Sequence, residues 1–299
     1  MGKYNHTVTE EEYGMSINEI LRSNFSFSAR FKTKIKFQNL LDLNGVQAKG
    51  FMKPEVGDLI SIRLPKETSD FPAEDIPIDV LYEDDDLLII NKQPGIIVHP
   101  TKGHPYHTIA NGLMKYMQDT GQEFKVRFAN RIDMDTSGIV ICAKNANCQD
   151  SISNQMKGQD VVKKYVAIVH GRVEDDCVIN LPVGRPDEVS IRRCVMEEGK
   201  DATTIVKVLE AFDDYSLLEL TIMTGRTHQI RVHLSHIGHP IIGDALYEGE
   251  APGLIERQAL HAYHIEFIHP MTEERLTIEA PYPDDMLKAL EIIRRDSHH

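Results

Sequence analysis

Tryptophan is absent from the 299 residues. Stacking on a base or ring would therefore fall to Tyr, Phe, His or Arg. Cysteine is sparse: Cys142, Cys148, Cys177 and Cys194 form no Cys-x-x-Cys pair. This disfavours a disulfide framework or zinc ribbon and leads us to expect reduced thiols in a cytoplasmic protein. No apolar run approaches the ~20 residues of a membrane span. The opening MGKYNHTVTEEEYG lacks the apolar core of a signal peptide, so no membrane association is expected. Phosphate-cradling loops of the forms G-x-x-x-x-G-K and G-x-G-x-x-G are missing, as is the G-x-S-x-G elbow. Nucleotide-dependent and serine-hydrolase chemistry lose support accordingly. Positive charge is also short, with 33 Lys and Arg against 46 Asp and Glu and a net charge of -13. A nucleic-acid binder must neutralise phosphates, so that role would require a locally basic region. Net charge speaks of solubility and steering, not of any one cleft.

Apolar residues make up 41% and charged residues 26%, a balance that supports a packed core rather than disorder. Residues 1 to about 14 are polar and read as a frayed lead-in. Residues 12–66 read as a small module. Met15, Ile17, Ile20 and Leu21 suggest a short amphipathic helix, Asn44–Gly45 a tight turn, and Leu59–Leu64 an alternating strand. From Ile20 to Lys66 there are nine Lys or Arg against Asp42, Glu55 and Asp58, so this stretch is basic although the chain is acidic. Residues 67–78 are polar, carry two prolines and read as a linker.

Residues 79–295 form the large remainder. There, VLYEDDDLLIINKQPGIIVHP reads as two strands flanking a Pro-Gly turn. Further strands are expected at 139–143, 162–170, 203–210, 216–224 and 276–280, with helices near 105–120, 146–157, 226–238 and 284–295. Strands dominate without βαβ alternation, so the expected class is α+β, with a mixed and largely antiparallel sheet beside a small α/β domain at the N-terminus.

Three segments could carry chemistry. The densest is NRIDMDTSGIVICAKN, residues 130–145, where a polar loop abuts a buried strand. Loops on rigid scaffolds commonly hold reactive groups, although a capped turn explains the same residues on periodicity alone. The second is TGRTHQIRVHLSHIGHP, residues 224–240. A helix from about Thr227 would put Thr227 and Arg231 on one face, and Arg226 and Arg231 are forks suited to carboxylate or phosphate. His228, His233, His236 and His239 raise a metal reading, weakened by the absence of a His-Glu-x-x-His arrangement. The third is VVKKYVAIVHG, residues 161–171, where Tyr165 either packs in a strand or stacks on a base. Lys92, before the Pro-Gly turn, reads as part of a solvated hairpin tip.

In order, these segments resemble the RluA-type family of RNA pseudouridine synthases. The family's His-Arg-Leu-Asp, two residues, Thr-Ser-Gly stands here as Asn130-Arg131-Ile132-Asp133, two residues, Thr136-Ser137-Gly138. KKYVAIVHG, TGRTHQIRVHLSHIGHPIIGDALY and LHAYHIEFIHP extend the likeness over roughly residues 75–285. Residues 15–65 look like a divergent copy of a small RNA-binding module first named from a ribosomal protein. The resemblance implies isomerisation of uridine to pseudouridine in ribosomal or transfer RNA. It makes Asp133 the catalytic carboxylate, with Tyr165 and Arg231 beside it. Arg131 would fill the gap left by a flipped uridine, and Thr136, Arg226, His228 and Lys164 would contact substrate. Neither cofactor nor metal is implied, the partner is RNA, and a monomer is expected. Attack at the ribose, attack at the base and elimination all remain open. The departures are Asn130 for His and Ile132 for Leu. A non-catalytic RNA-binding factor and a zinc hydrolase are the rival readings.

Overall fold

A cluster of aromatic rings decides how the chain begins. Tyr4 is 3% exposed and meets the rings of Phe25, Phe27 and Phe31 at 6.2, 5.2 and 5.8 Å. The expected frayed lead-in is instead strand β1, Tyr4–Thr7, because burying the aromatic ring outweighs the polarity of its neighbours. The computed structural model describes residues 4–297 except 26, 28, 64–66, 102 and 159.

Helix α1, Ile17–Asn24, starts at a capping box in which Ser16 and Glu19 satisfy each other's backbone amides. Helix α2, Ala29–Phe37, buries Phe31 and Ile35, four apart, and leaves Lys32 and Lys36 outside. Strands β2 (Leu41–Leu43), β3 (Val46–Gln47) and β4 (Leu59–Ile62) complete an antiparallel sheet in the order β1-β4-β2-β3. The expected strand ends at Ile62, and Leu64 lies outside the described residues. Within its apolar cluster these elements pack on one another, and Met271 from the C-terminal half packs against it.

Residues 67–78 have no regular structure, yet they lie along a helix. Asn111 Nδ2 donates to the Pro72 carbonyl at 2.9 Å, and a Cβ on Gly112 would meet Ile76 at 3.0 Å. The large sheet then begins with β5 (Val80–Glu83) and β6 (Leu87–Lys92). The hairpin turn falls at Asp84–Asp86, where the Asp84 carboxylate accepts from the Asp86 and Leu87 amides. The run after Pro94-Gly95 is therefore not a strand. It makes a single bridge, Ile97 to Thr108, and the Lys92 ammonium holds the carbonyls of Gln93 and Ile96.

Helix α3 (Ile109–Thr120), β7 (Ser137–Ala143), α4 (Ala146–Gly158), β8 (Val162–His170) and β9 (Cys177–Asn180) follow. A two-stranded hairpin, β10 (Val183–Gly184) with β11 (Cys194–Val195), precedes β12 (Thr203–Ala211) and β13 (Tyr215–Ile222). Helix α5 (Gln229–His236), β14 (Leu260–Ile268), β15 (Arg275–Glu279) and α6 (Asp284–Asp296) end the chain. The sheet order is β5-β6-β7-β14-β8-β13-β12-β9, with β15 on β14. Every pairing is antiparallel except β7 with β14, which gives the expected α+β class. β7 is buried along its whole length, so the polar loop before it leads straight into a strand enclosed on both faces.

Gly138 makes the parallel pairing possible. Its φ is +112°, and a Cβ there would lie 2.2 Å from the Ala262 carbonyl oxygen. Only glycine takes this conformation without strain. Gly138→Ala is expected to lower stability by about 2 kcal/mol or more, read as a shifted urea midpoint. An unchanged midpoint would contradict this account of the strand junction.

Candidate active site

The loop from Asn130 to Thr136 is pinned along its length. Asn130 Nδ2 donates to the Ile139 carbonyl at 3.1 Å, and its Oδ1 accepts from the Ile141 amide at 2.8 Å. The residue that departs from the family signature thus ties the loop to β7. The Lys92 ammonium donates to the Met134 carbonyl at 2.7 Å, and Arg257 donates to the Asp135 carbonyl at 2.9 Å. Lys92 is fully buried, and burial pushes its pKa down to about 7, against the pull of Asp135. Its three carbonyl partners, on Gln93, Ile96 and Met134, favour the charged form against that burial. The expected solvated lysine is an internal clamp.

Asp133, so held, bonds not to Arg131 but to Arg231, 98 residues away, whose Nη1 donates to Asp133 Oδ2 at 3.1 Å. Arg231 is 7% exposed. Its other two nitrogens both donate to Asp244, Nε to Oδ2 at 2.6 Å and Nη2 to Oδ1 at 2.8 Å. Its guanidinium lies 5.0 Å from the centre of the Tyr247 ring. Burial lowers the Arg231 pKa, but the bonds and charges of Asp244 and Asp133 more than reverse this. The group stays cationic.

Helix α5 begins two residues later than expected, at Gln229, because His228 takes a left-handed φ of +56°. That conformation costs a non-glycine residue about 1–3 kcal/mol and tends to mark functional sites. Here it brings His228 Nε2 to 3.8 Å from Asp133 Oδ2. Burial holds the His228 pKa below its ordinary value, against the opposite pull of Asp133. Gln229 organises the preceding turn. Its Oε1 accepts from Thr224 Oγ1 and the Arg226 amide, and its Nε2 donates to Thr203 O and Thr204 Oγ1.

These residues line a cavity of about 740 Å³. Asp133, Tyr165, Arg231, Arg131, Thr136, Arg226 and His228 all border it. Lys164 does not: it points to the opposite face of β8 and pairs with Glu219 at 3.2 Å. Strand alternation places Lys163 beside Tyr165 in the cavity instead. Burial first, then the Asp133 charge, raises the Tyr165 phenol pKa, so it keeps its proton at neutral pH. Arg131 is exposed, free to reach a ligand. Among the described residues the lining contains five Lys or Arg and one carboxylate, so the cavity is cationic although the chain is acidic.

The four histidines disperse. His233 bonds to Thr204 Oγ1 and the Leu181 carbonyl, His239 to the His170 carbonyl, and His236 is exposed. Among the described residues, no three His, Cys, Asp or Glu are grouped to hold a metal.

Asp244, Tyr247, Gln229 and Lys92 were not singled out as site residues from the sequence. Asp244 and Tyr247 stand in GDALY, after a Gly243 whose φ is +77° and whose missing Cβ would strike the Arg257 carbonyl at 2.0 Å. Their signal in the sequence was that the family likeness runs on through GDALY.

Comparison with known proteins shows the family. The family model for RNA pseudouridylate synthase matches residues 86–236. RNA pseudouridine synthase YjbO of Bacillus subtilis is 41% identical over 91% of this chain and 96% of its own. Ribosomal large subunit pseudouridine synthase D of Escherichia coli is 31% identical over 97% and 94%. Among solved structures, human RNA pseudouridylate synthase domain containing 1 superposes with a TM-score of 0.58 at 26% identity, covering 70% of this chain and 85% of that one. The chain belongs to the RluA-type family of RNA pseudouridine synthases, enzymes that isomerise uridine in RNA.

Proposed function

We propose that Asp133 is the catalytic carboxylate of this pseudouridine synthase, with Tyr165 and Arg231 completing the catalytic set. One observation carries the reading. The cationic cavity holds a single carboxylate, and that carboxylate is bonded to a buried guanidinium.

Pseudouridine formation breaks the bond from ribose C1′ to uracil N1, turns the base, and joins C1′ to C5. The hydrogen on C5 leaves as a proton, and N1 takes up a proton in its place. Neither electrons nor groups are exchanged with a second reactant. The protein must therefore extrude the nucleotide, keep the loose base from escaping, and supply one ionised group at the reacting sugar or base. Arg131, exposed at the rim, would fill the gap in the RNA stack with a planar cation. Arg231 would hold Asp133 aimed into the cavity. Protonated Tyr165 would stack on the base. Arg226 and Lys163 would hold the flanking backbone, with Lys163 taking the place expected of Lys164, whereas Thr136, 2% exposed, stays within its own loop and His228 faces Asp133. The basic α2 face of the N-terminal module would extend the contact with RNA.

The RNA is proposed to be ribosomal, since relatives similar along nearly the whole chain carry that substrate in their names. The enzyme is proposed to act as a cytoplasmic monomer.

RNA transcribed with tritium at uridine C5 tests both parts. Wild-type protein should release label from ribosomal RNA, whereas Asp133→Asn should release it at least about a thousandfold more slowly while still binding the RNA. Undiminished release by Asp133→Asn would reject the role of Asp133, and release from transfer RNA alone would redirect the substrate.

Salt dependence separates the two lysines. Lys163→Ala should reduce the slope of log affinity against log salt by about 1. Lys164→Ala, already paired with Glu219, should leave it unchanged. The reverse order would contradict the face assigned to β8.

A further inference from the structure

Tyr247 is buried, 2% exposed, and stands between an exposed loop and the candidate catalytic carboxylate. The loop is residues 185–193 of the β10–β11 hairpin, with Val189 88% and Ile191 73% exposed. From it the Arg193 amide donates to the Tyr247 hydroxyl at 2.8 Å, and the Arg192 guanidinium lies 5.2 Å from the ring centre. The Arg231 guanidinium also packs on this ring, at 5.0 Å. The same hydroxyl lies 2.9 Å from His228 Nδ1, and His228 Nε2 faces Asp133.

A phenol has one proton to give. The Tyr247 oxygen accepts from the Arg193 amide, and the acceptor beside its proton is His228 Nδ1, which leaves no hydroxyl proton unpaired if the bond runs from the phenol to the ring. The partner at one ring nitrogen decides which nitrogen carries the hydrogen. A neutral His228 then has its N–H at Nε2, pointing towards Asp133.

We propose that Tyr247 is a positioning residue for the reaction: it fixes the His228 tautomer so that Nε2–H faces Asp133, and it links the 185–193 loop to the Arg231–Asp133 pair. The inference rests on the role assigned to Asp133 above. It gives the strained backbone of His228 a purpose, because in that conformation one imidazole lies between the Tyr247 hydroxyl and the carboxylate.

The test uses the full chain labelled with 15N at histidine, with His228→Asn to assign the signal. At neutral pH the His228 nitrogens should report the Nε2–H tautomer in the wild type and a mixture in Tyr247→Phe, which keeps the ring beneath Arg231. In the tritium assay on ribosomal RNA, Tyr247→Phe should lower kcat by about tenfold to a hundredfold, with KM unchanged. An Nδ1–H tautomer in the wild type would overturn the proposal. So would wild-type kcat in Tyr247→Phe alongside an inactive Asp133→Asn. Full activity in Asp133→Asn would instead remove the reading on which the proposal rests.

Discussion

The site depends on a single buried guanidinium. Arg231 is removed from water, and a cation in that position is costly unless its donors are matched. Asp244, 1% exposed, matches two of them in the side-by-side geometry that suits a guanidinium and a carboxylate. The fork is thereby locked, and its remaining nitrogen is aimed at Asp133. Asp133 is the less buried of the two acids, with 29% of its side chain exposed against 1% for Asp244. One acid anchors the cation, and the other is presented to the cavity by it. The ring of Tyr247 closes the open face of the guanidinium.

The same economy resolves the charge of the chain. A net charge of -13 would repel RNA if it were spread evenly. The cavity instead gathers Arg131, Lys157, Lys163, Arg226 and Arg231 around one carboxylate. Other cations that look available in the sequence are spent on internal pairs. Lys144 bonds to Glu83, Arg257 to Asp285, and Lys164 to Glu219. An acidic exterior with a cationic cleft favours RNA that can reach the cleft over RNA that merely touches the surface.

Much of this was legible before the fold was known, and the failures have physical causes. The strands at 139–143, 162–170 and 216–224 follow from apolar runs, and the α+β class from their lack of alternation with helices. Asp133 could not be told from a capped turn by pattern alone, and only its place in an ordered set of motifs singled it out. Lys164 was misplaced although period-two alternation, applied to Tyr165, puts Lys163 on the same face. Tyr4 was missed because one aromatic in a polar stretch shows no periodicity, and its ring partners lie more than twenty residues away. Lys92 and Asp244 were missed because a buried charge looks like a surface charge until its partners are in place. The start of α5 was misjudged by two residues because His228 adopts a backbone conformation that sequence preferences argue against.

The central claim is that Asp244 serves the reaction only by holding Arg231. Single-turnover release of tritium from C5-labelled RNA by Asp244→Asn, Arg231→Gln and the double variant, each confirmed folded by circular dichroism, tests it most directly. The account predicts that both single variants are slowed and that the double variant is no slower than Arg231→Gln. Losses that multiply in the double variant would show Asp244 acting independently of Arg231 and would contradict the account.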